Sequence, residues 1–360
     1  MCSSPSRDAI CAMTDRSFAS RPLVQLTLMR LREFVREPEA VFWVVVFPIV
    51  LAAALGIAFR TQGDEPVHAG VLEGPGSESV VAALKVSAGM DVTIVTRERA
   101  DLALRDGQVE VVVIPGTPPT YRFDPARAES RLARIAVDGA LQRAAGRADR
   151  FTAGEQRLEV VGARYIDWFV PGLLGMNIMG TGMWGIGFSI VYARNRKLLK
   201  RFTATPMARS DYLLAQMLAR LVSLVPEVGA LVLFAGIAFA VPVRGSVFSL
   251  AVVSLAGALT FSGLGLLVAS RARTIEAISG LLNFLMLPMW VLSGVFFSSA
   301  HFPAATQPLI HALPLTALND ALRAVMLDGA SLAVVSGDLA ILAAWALASF
   351  ALALRLFRWR

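Results

Sequence analysis

Apolar and polar residues alternate along this chain in long blocks, and the apolar blocks are helix-length. Residues 41–59 carry no charge for 19 positions, between Glu39 and Arg60. That is just enough for a helix to span a bilayer, which takes about 20 residues. Pro48 inside the block is tolerable because neighbouring helices can bond the carbonyl it leaves free. Residues 168–193 are uncharged for 26 positions and hold six glycines, 172, 175, 180, 182, 185 and 187. Small residues let helix backbones approach closely in lipid, so this block reads as a packing or moving interface, with Pro171-Gly172 at its start. Further blocks at 212–243, 247–270, 277–300 and 339–354 complete six spans.

Two regions follow other patterns. Residues 1–20 are polar with no apolar h-region and do not read as a secretory signal. Residues 23–37 place Val24, Leu28, Leu31 and Val35 at helical spacing, which predicts an amphipathic helix at the interface before the first span. In residues 61–165 charge returns and no run is long enough to span. Short apolar runs at 69–72, 92–95, 109–114 and 120–123 predict strands, and 77–87, 97–106 and 125–150 predict helices. Gly107 would cap the second of these helices. In the third, Leu132, Ile135, Ala136 and Gly139 form the expected packing face. The fold class is therefore an α-helical polytopic membrane protein with a small α/β domain between its first two spans.

Composition agrees: 360 residues, 56% hydrophobic, 17% charged, mean hydropathy +0.61. The net charge of +7 does not point to nucleic acid, since the basic residues sit beside apolar runs, as topology signals do. The densest cluster lies between the second and third spans. There Arg194, Arg196, Lys197, Lys200, Arg201 and Arg209 face one acid, Asp211. Leu198, Leu199 and Phe202 share one side of a short helical pattern that Pro206 stops, and Ser210-Asp211 offers the next N-cap. Positive excess in this 194–211 loop, the N-terminal tail, the Arg271/Arg273 turn and the C-terminus places all four in the cytoplasm. Residues 61–165 then fall on the other side; long domains cross regardless of charge.

The segment RKLLKRFTATPMARSDYLLAQML resembles the cytoplasmic coupling region of ABC-2 type transporter permeases. Ser293-Gly294 after a proline-bearing fifth span, and Pro314-Leu315-Thr316 in the broken segment 300–330, resemble the same family. The resemblance implies that Arg196, Lys197, Leu198, Leu199, Lys200, Arg201 and Phe202 form a helix docking on a separate ABC ATPase, which would bind ATP and Mg²⁺. It implies a second permease copy, identical or homologous, in a bacterial inner membrane. It also implies efflux of small molecules, since the external domain departs from branches that lack one.

No catalytic, metal or cofactor site is legible in this chain. Cys2 and Cys11 lie in the tail, the three histidines are scattered, and no Walker A pattern occurs. Glu227 is the acid well inside a span, some 22 Å along its helix from Tyr212, and such a group is a functional candidate. Asn177 and Asn283 are polar enough to join it along a transport path. A membrane-anchored sensor with residues 61–165 as its head is the other reading, but it lacks a cytoplasmic output domain. The topology predicts that, in intact cells lacking Cys2 and Cys11, an impermeant thiol reagent labels Lys85→Cys and spares Lys200→Cys. The reverse pattern would invert the chain.

Overall fold

The computed structural model describes residues 22–59, 66–148, 151, 154, 162, 164–198 and 209–356, which form two compact units, Thr61–Leu158 and the rest of the chain. The chain enters through α1 (Pro22–Arg36) and α2 (Pro38–Ala58). In α1, Leu23, Leu26, Arg30 and Phe34 are partly covered at helical spacing, while Leu28 and Val35 of the predicted apolar face stay exposed. An open apolar stripe on one side and protein contact on the other suit a helix lying at a membrane surface. In α2 the stretch Phe42–Val46 is a π-helical turn that ends two residues before Pro48.

The α/β unit builds a four-stranded sheet from β1 (Val67–Leu72), β2 (Met90–Val95), β3 (Val111–Ile114) and β4 (Thr120–Phe123), in the order β2-β1-β3-β4. β1 pairs parallel with β2 and β3, and β4 runs antiparallel to β3. The parallel pairs need crossover helices, which are α3 (Ser77–Lys85) and α4 (Arg97–Arg105). Gly107 takes φ +72 to end α4, the left-handed cap that glycine allows. α5 (Ala128–Ala144) packs with α3 on one face of the sheet, through Ala133, Val137 and Ala140. This corrects the face expected for α5: Leu132 and Ile135 are 68% and 59% exposed. Hydrophobic bulk misleads here, because alanines fit the close approach of helix to sheet better than leucine does. The helix also stops short of residue 150, at Gly146 with φ +97.

The second span is α6 (Tyr165–Asn195), followed by α7 (Arg209–Phe239), α8 (Val247–Arg271) and α9 (Ile275–Leu292). Two 3₁₀ turns, Ser299–His301 and Ala304–Thr306, lead to α10 (Gln307–Ala312), α11 (Pro314–Met326) and the last span, α12 (Ser336–Leu356). α2, α6, α7, α8, α9 and α12 are the six helices long and apolar enough to cross a membrane among the described residues. Several boundaries differ from those expected. α6 starts at Tyr165, so Pro171 lies inside it. α7 starts at Arg209, so Ser210-Asp211 lie in its first turn and do not precede it. α9 ends at Leu292 and not near 300, because Gly294 turns the chain with φ +69.

α6 and α8 are the most buried spans, and their glycines explain how close they come. A Cβ on Gly182 would stand 2.9 Å from Phe261 Cβ, and one on Gly265 would stand 2.8 Å from Met183 O. Neither backbone can yield without moving a whole helix. Gly185, by contrast, has open space where its Cβ would be. Gly265→Ala should therefore destabilise the purified protein by about 1–3 kcal/mol, the usual cost of overpacking, and Gly185→Ala should not. Equal melting temperatures for the two variants in detergent would show that the α6–α8 contact is looser than drawn.

Candidate functional site

Four polar side chains line one stripe of α7. Tyr212, Gln216, Arg220 and Glu227 are spaced by 4, 4 and 7 residues, which keeps them within about 80° of one another around a helix, and all four are buried. Arg220 Nη1 donates to Glu227 Oε2 at 2.7 Å, an ion pair with side chains only 6% and 0% exposed. Thr181 of α6 completes it: its Oγ1 accepts from Arg220 Nη2 at 2.6 Å and lies 3.0 Å from Glu227 Oε1. Two turns away, Gln216 Nε2 donates to Ser189 Oγ of α6 and, at 3.0 Å, to Tyr212 Oη. Arg30 of α1 reaches that same Oη at 3.4 Å. The result is a polar seam that joins α7 to α6 along four turns and ties α1 to its end.

Each member is costly alone. An ionised group in hydrocarbon needs a partner, and breaking a buried pair by removing one side costs about 3–5 kcal/mol. Pro226 lies beside Glu227 inside α7. Arg220 lies about 9 Å and Glu227 about 20 Å from the Leu214 end of the apolar part of the helix, so both sit within the hydrocarbon depth.

The two asparagines part company. Asn177 Nδ2 donates to Val44 O at 2.9 Å. Val44 is four residues before Pro48, whose nitrogen carries no hydrogen to fill that carbonyl. So Asn177 bonds the group that the proline leaves free, and it binds α6 to the π turn of α2. It meets the seam only through its backbone, since Thr181 Oγ1 lies 2.8 Å from Asn177 O. Asn283 is exposed on α9 and belongs to no hydrogen bond of the seam.

A second junction gathers the residues Ser293-Gly294 and the helix that Pro314 opens. Asn319 Nδ2 of α11 donates to Ser293 O at 2.8 Å. Arg323, one turn on, donates to Gly294 O and, at 3.4 Å, to Trp168 O. Its guanidinium lies 4.0 Å over the Trp168 ring, a cation–π contact. The broken end of α9, the start of α6 and α11 are thus held at one point.

Of the basic loop, Arg196, Lys197 and Leu198 are described; Leu199, Lys200, Arg201 and Phe202 lie outside the described residues, as does Pro206. Lys197 has φ +58, directly after α6 ends, so the chain turns there. Arg196 lies over the Tyr192 ring at 4.4 Å. Arg194 is not part of the solvent-facing charge: its Nη1 donates to Ala269 O at 2.9 Å and Ala272 O at 2.5 Å, closing the end of α8. Among the described residues, no three His, Cys, Asp or Glu side chains converge as metal ligands would.

The sequence reading finds Glu227 and overlooks Arg220. The signal was present: a spacing of seven is two helical turns, which stacks the two charges on one face. Thr181 carried no comparable signal, since its partner lies on another helix.

Residues 137–327 match the family model described as ABC-2 type transporter. The chain is also similar to the "Probable multidrug ABC transporter permease YbhS" of Escherichia coli (strain K12), with 24% identity over 354 aligned positions that cover 88% of this chain and 91% of that protein. The same-named protein of Escherichia coli O157:H7 gives the same figures.

The seam makes a testable demand on stability. Glu227→Leu or Arg220→Met alone strands a buried charge and should cost about 3–5 kcal/mol, seen as lost membrane abundance and a lower melting temperature. The double variant should recover most of both, since an apolar pair of similar size is often neutral. Additive losses would mean that the two charges are not paired in the membrane.

Proposed function

Because this chain belongs to the ABC-2 type transporter family, we propose that it is the permease subunit of an ATP-driven exporter in a bacterial inner membrane. It is a multi-pass transporter subunit; the direction, the coupling and the path are the proposed part. Two copies, or one copy and a homologue, would enclose the path. Two ABC ATPase chains would bind beneath them and carry the ATP and Mg²⁺. The name of the similar Escherichia coli permease, a probable multidrug transporter permease, supports drug-like substrates.

The observation that carries the coupling is where the basic loop sits. It joins α6 and α7, the same two helices that the buried seam fastens together. A push on that loop from an ATPase would move both helices as one body. α1 would follow through Arg30 and Tyr212, and α2 through Asn177. Glu227 in this reading works at a helix interface, since Arg220 and Thr181 already occupy both of its oxygens. Glu227→Gln should then insert and dock its ATPase while transporting more slowly. Residues 61–165 would lie on the non-cytoplasmic side, a reading that the charge pattern of the short loops supports.

The docking surface is proposed to be Leu198, Leu199 and Phe202, ringed by Arg196, Lys197, Lys200 and Arg201. Charges around an apolar patch bar it from lipid and suit a protein socket. Burying a phenylalanine is worth about 1.5–3 kcal/mol, so Phe202→Ala should weaken ATPase binding roughly ten- to a hundredfold. Membrane abundance should hold while ATPase pull-down and transport fall together. Unchanged pull-down and transport would reduce the loop to a topology signal. A fall in abundance would place the apolar residues inside the permease.

A further inference from the structure

Leu132 and Ile135 give α5 an exposed apolar face, and just past the end of α3 Val86 is 88% exposed. Between these two helices lies a groove of about 1180 Å³, lined by Ile135 and Val86 among others. Small side chains keep it open. Ala83 on α3 and Ala136, Gly139, Ala140 and Ala144 on α5 leave the gap between the helices unfilled. Val67 and Met90, paired at the starts of β1 and β2, line it as well. Sites for drug-sized ligands measure about 300–1,000 Å³ and are mostly apolar, with a few placed polar groups. This groove has that make-up and room for one such molecule.

Its charges say which kind of molecule. Two arginines and one aspartate line it. Asp138 is already served: Tyr121 Oη donates to its Oδ1 at 2.9 Å and Gln142 Nε2 to its Oδ2 at 2.8 Å. Arg147 joins the same chain, since its Nη1 donates to Gln142 Oε1 at 2.6 Å. Arg143 stands outside it. Among the described residues, none hydrogen-bonds or ion-pairs with its side chain. Its place in the last turn of α5 suits the helix dipole, but the dipole does not decide where the guanidinium points. It turns back one helical turn, so that Nη1 lies 3.6 Å from where a Cβ on Gly139 would be. That sets a cation with no acid partner beside an uncovered apolar wall, and a guanidinium matches a carboxylate in shape as well as charge.

We propose that the groove between α3 and α5 binds a small amphipathic anion, with its apolar body against Val86 and Ile135 and its carboxylate on Arg143. The site lies wholly within the α/β unit. It is separate from the transport path and requires no partner chain.

The test uses the full chain in lipid nanodiscs, where both sides of the bilayer are open to reagents, with Cys2→Ser and Cys11→Ser removing the only cysteines. Ile135→Cys and Val86→Cys, placed one at a time, report on the groove, and Leu132→Cys reports on the same helix outside its lining. The probe is naphthoate, an apolar bicycle with one carboxylate, and naphthamide is its neutral counterpart. Naphthoate should slow maleimide modification at 135 and 86 and leave 132 unchanged; a Kd near 0.1 mM would slow it about tenfold at 1 mM naphthoate. Naphthamide should protect far less. Adding Arg143→Gln should raise the naphthoate needed for equal protection about tenfold, and Arg97→Gln, on another helix, should not. No protection at 1 mM, or the same protection at 132, would overturn the site. Equal protection by naphthamide, or an unchanged naphthoate requirement in Arg143→Gln, would overturn the anion and its partner. An Ile135→Cys protein that oxidises to a dimer would make the groove a contact between copies, and a thiol that maleimide cannot reach without naphthoate would mean that the groove is already covered. Either result overturns the proposal.

Discussion

A salt bridge that hydrocarbon cannot release holds this membrane unit together. Arg220 and Glu227 lie two turns apart on α7, and Thr181 of α6 bonds to both. In water such a pair would open and close at little cost. In a bilayer each charge lacks any other strong partner, and Thr181 of α6 meets Nη2 of Arg220 and Oε1 of Glu227, so its hydroxyl registers α7 on α6. Gln216 and Ser189 repeat the tie two turns along, and Arg30 brings α1 onto Tyr212. Everything that the basic loop between α6 and α7 could transmit passes through helices fastened in this way.

The other joints are made of backbone. Pro48 removes one hydrogen bond from α2, and Asn177 of α6 supplies the replacement. Gly294 breaks the chain after α9, and Asn319 and Arg323 of α11 bond the carbonyls at the break. Arg194 closes the end of α8. In each case an irregularity in one span is answered by a side chain from another, which is how bundles in lipid tolerate broken helices. Between these joints, the glycines of α6 and α8 let backbones touch where side chains would hold them apart. The unit is therefore specified by a few polar contacts and a few missing side chains.

That economy explains what could be read from the sequence. The six spans were legible because hydrocarbon demands long uncharged runs, and the α/β insert because strand and helix periods differ. The glycine block of α6 reads as a packing or moving interface, and Gly172, Gly175, Gly182 and Gly187 are closely packed while Gly185 faces open space. The face of α5 was misread, because Leu132 and Ile135 are larger than Ala133 and Ala140 yet lie outside. Boundaries slipped where a proline or glycine sits within a helix, as at Pro171, or ends it early, as at Gly294. Glu227 could be picked out by its rarity, and Arg220 by its spacing from Glu227. Thr181 and Ser189 could not, since nothing in a one-dimensional pattern says which turn of α6 faces which turn of α7.

The claim that most needs direct measurement is that α6 and α7 move as one body. Ser189→Cys and Gln216→Cys in a chain without other cysteines would place two thiols at a contact that already exists. A short bifunctional thiol reagent should bridge them. The expected result is that the bridged permease, reconstituted with its ATPase, transports at the rate of the unbridged one, because the bridge adds nothing that the seam does not already enforce. Transport that stops on bridging and returns when a cleavable linker is reduced would mean that α6 and α7 separate during the cycle. The bonds from Thr181 and Ser189 of α6 to α7 would then be contacts that open in each turnover and not fixed ones.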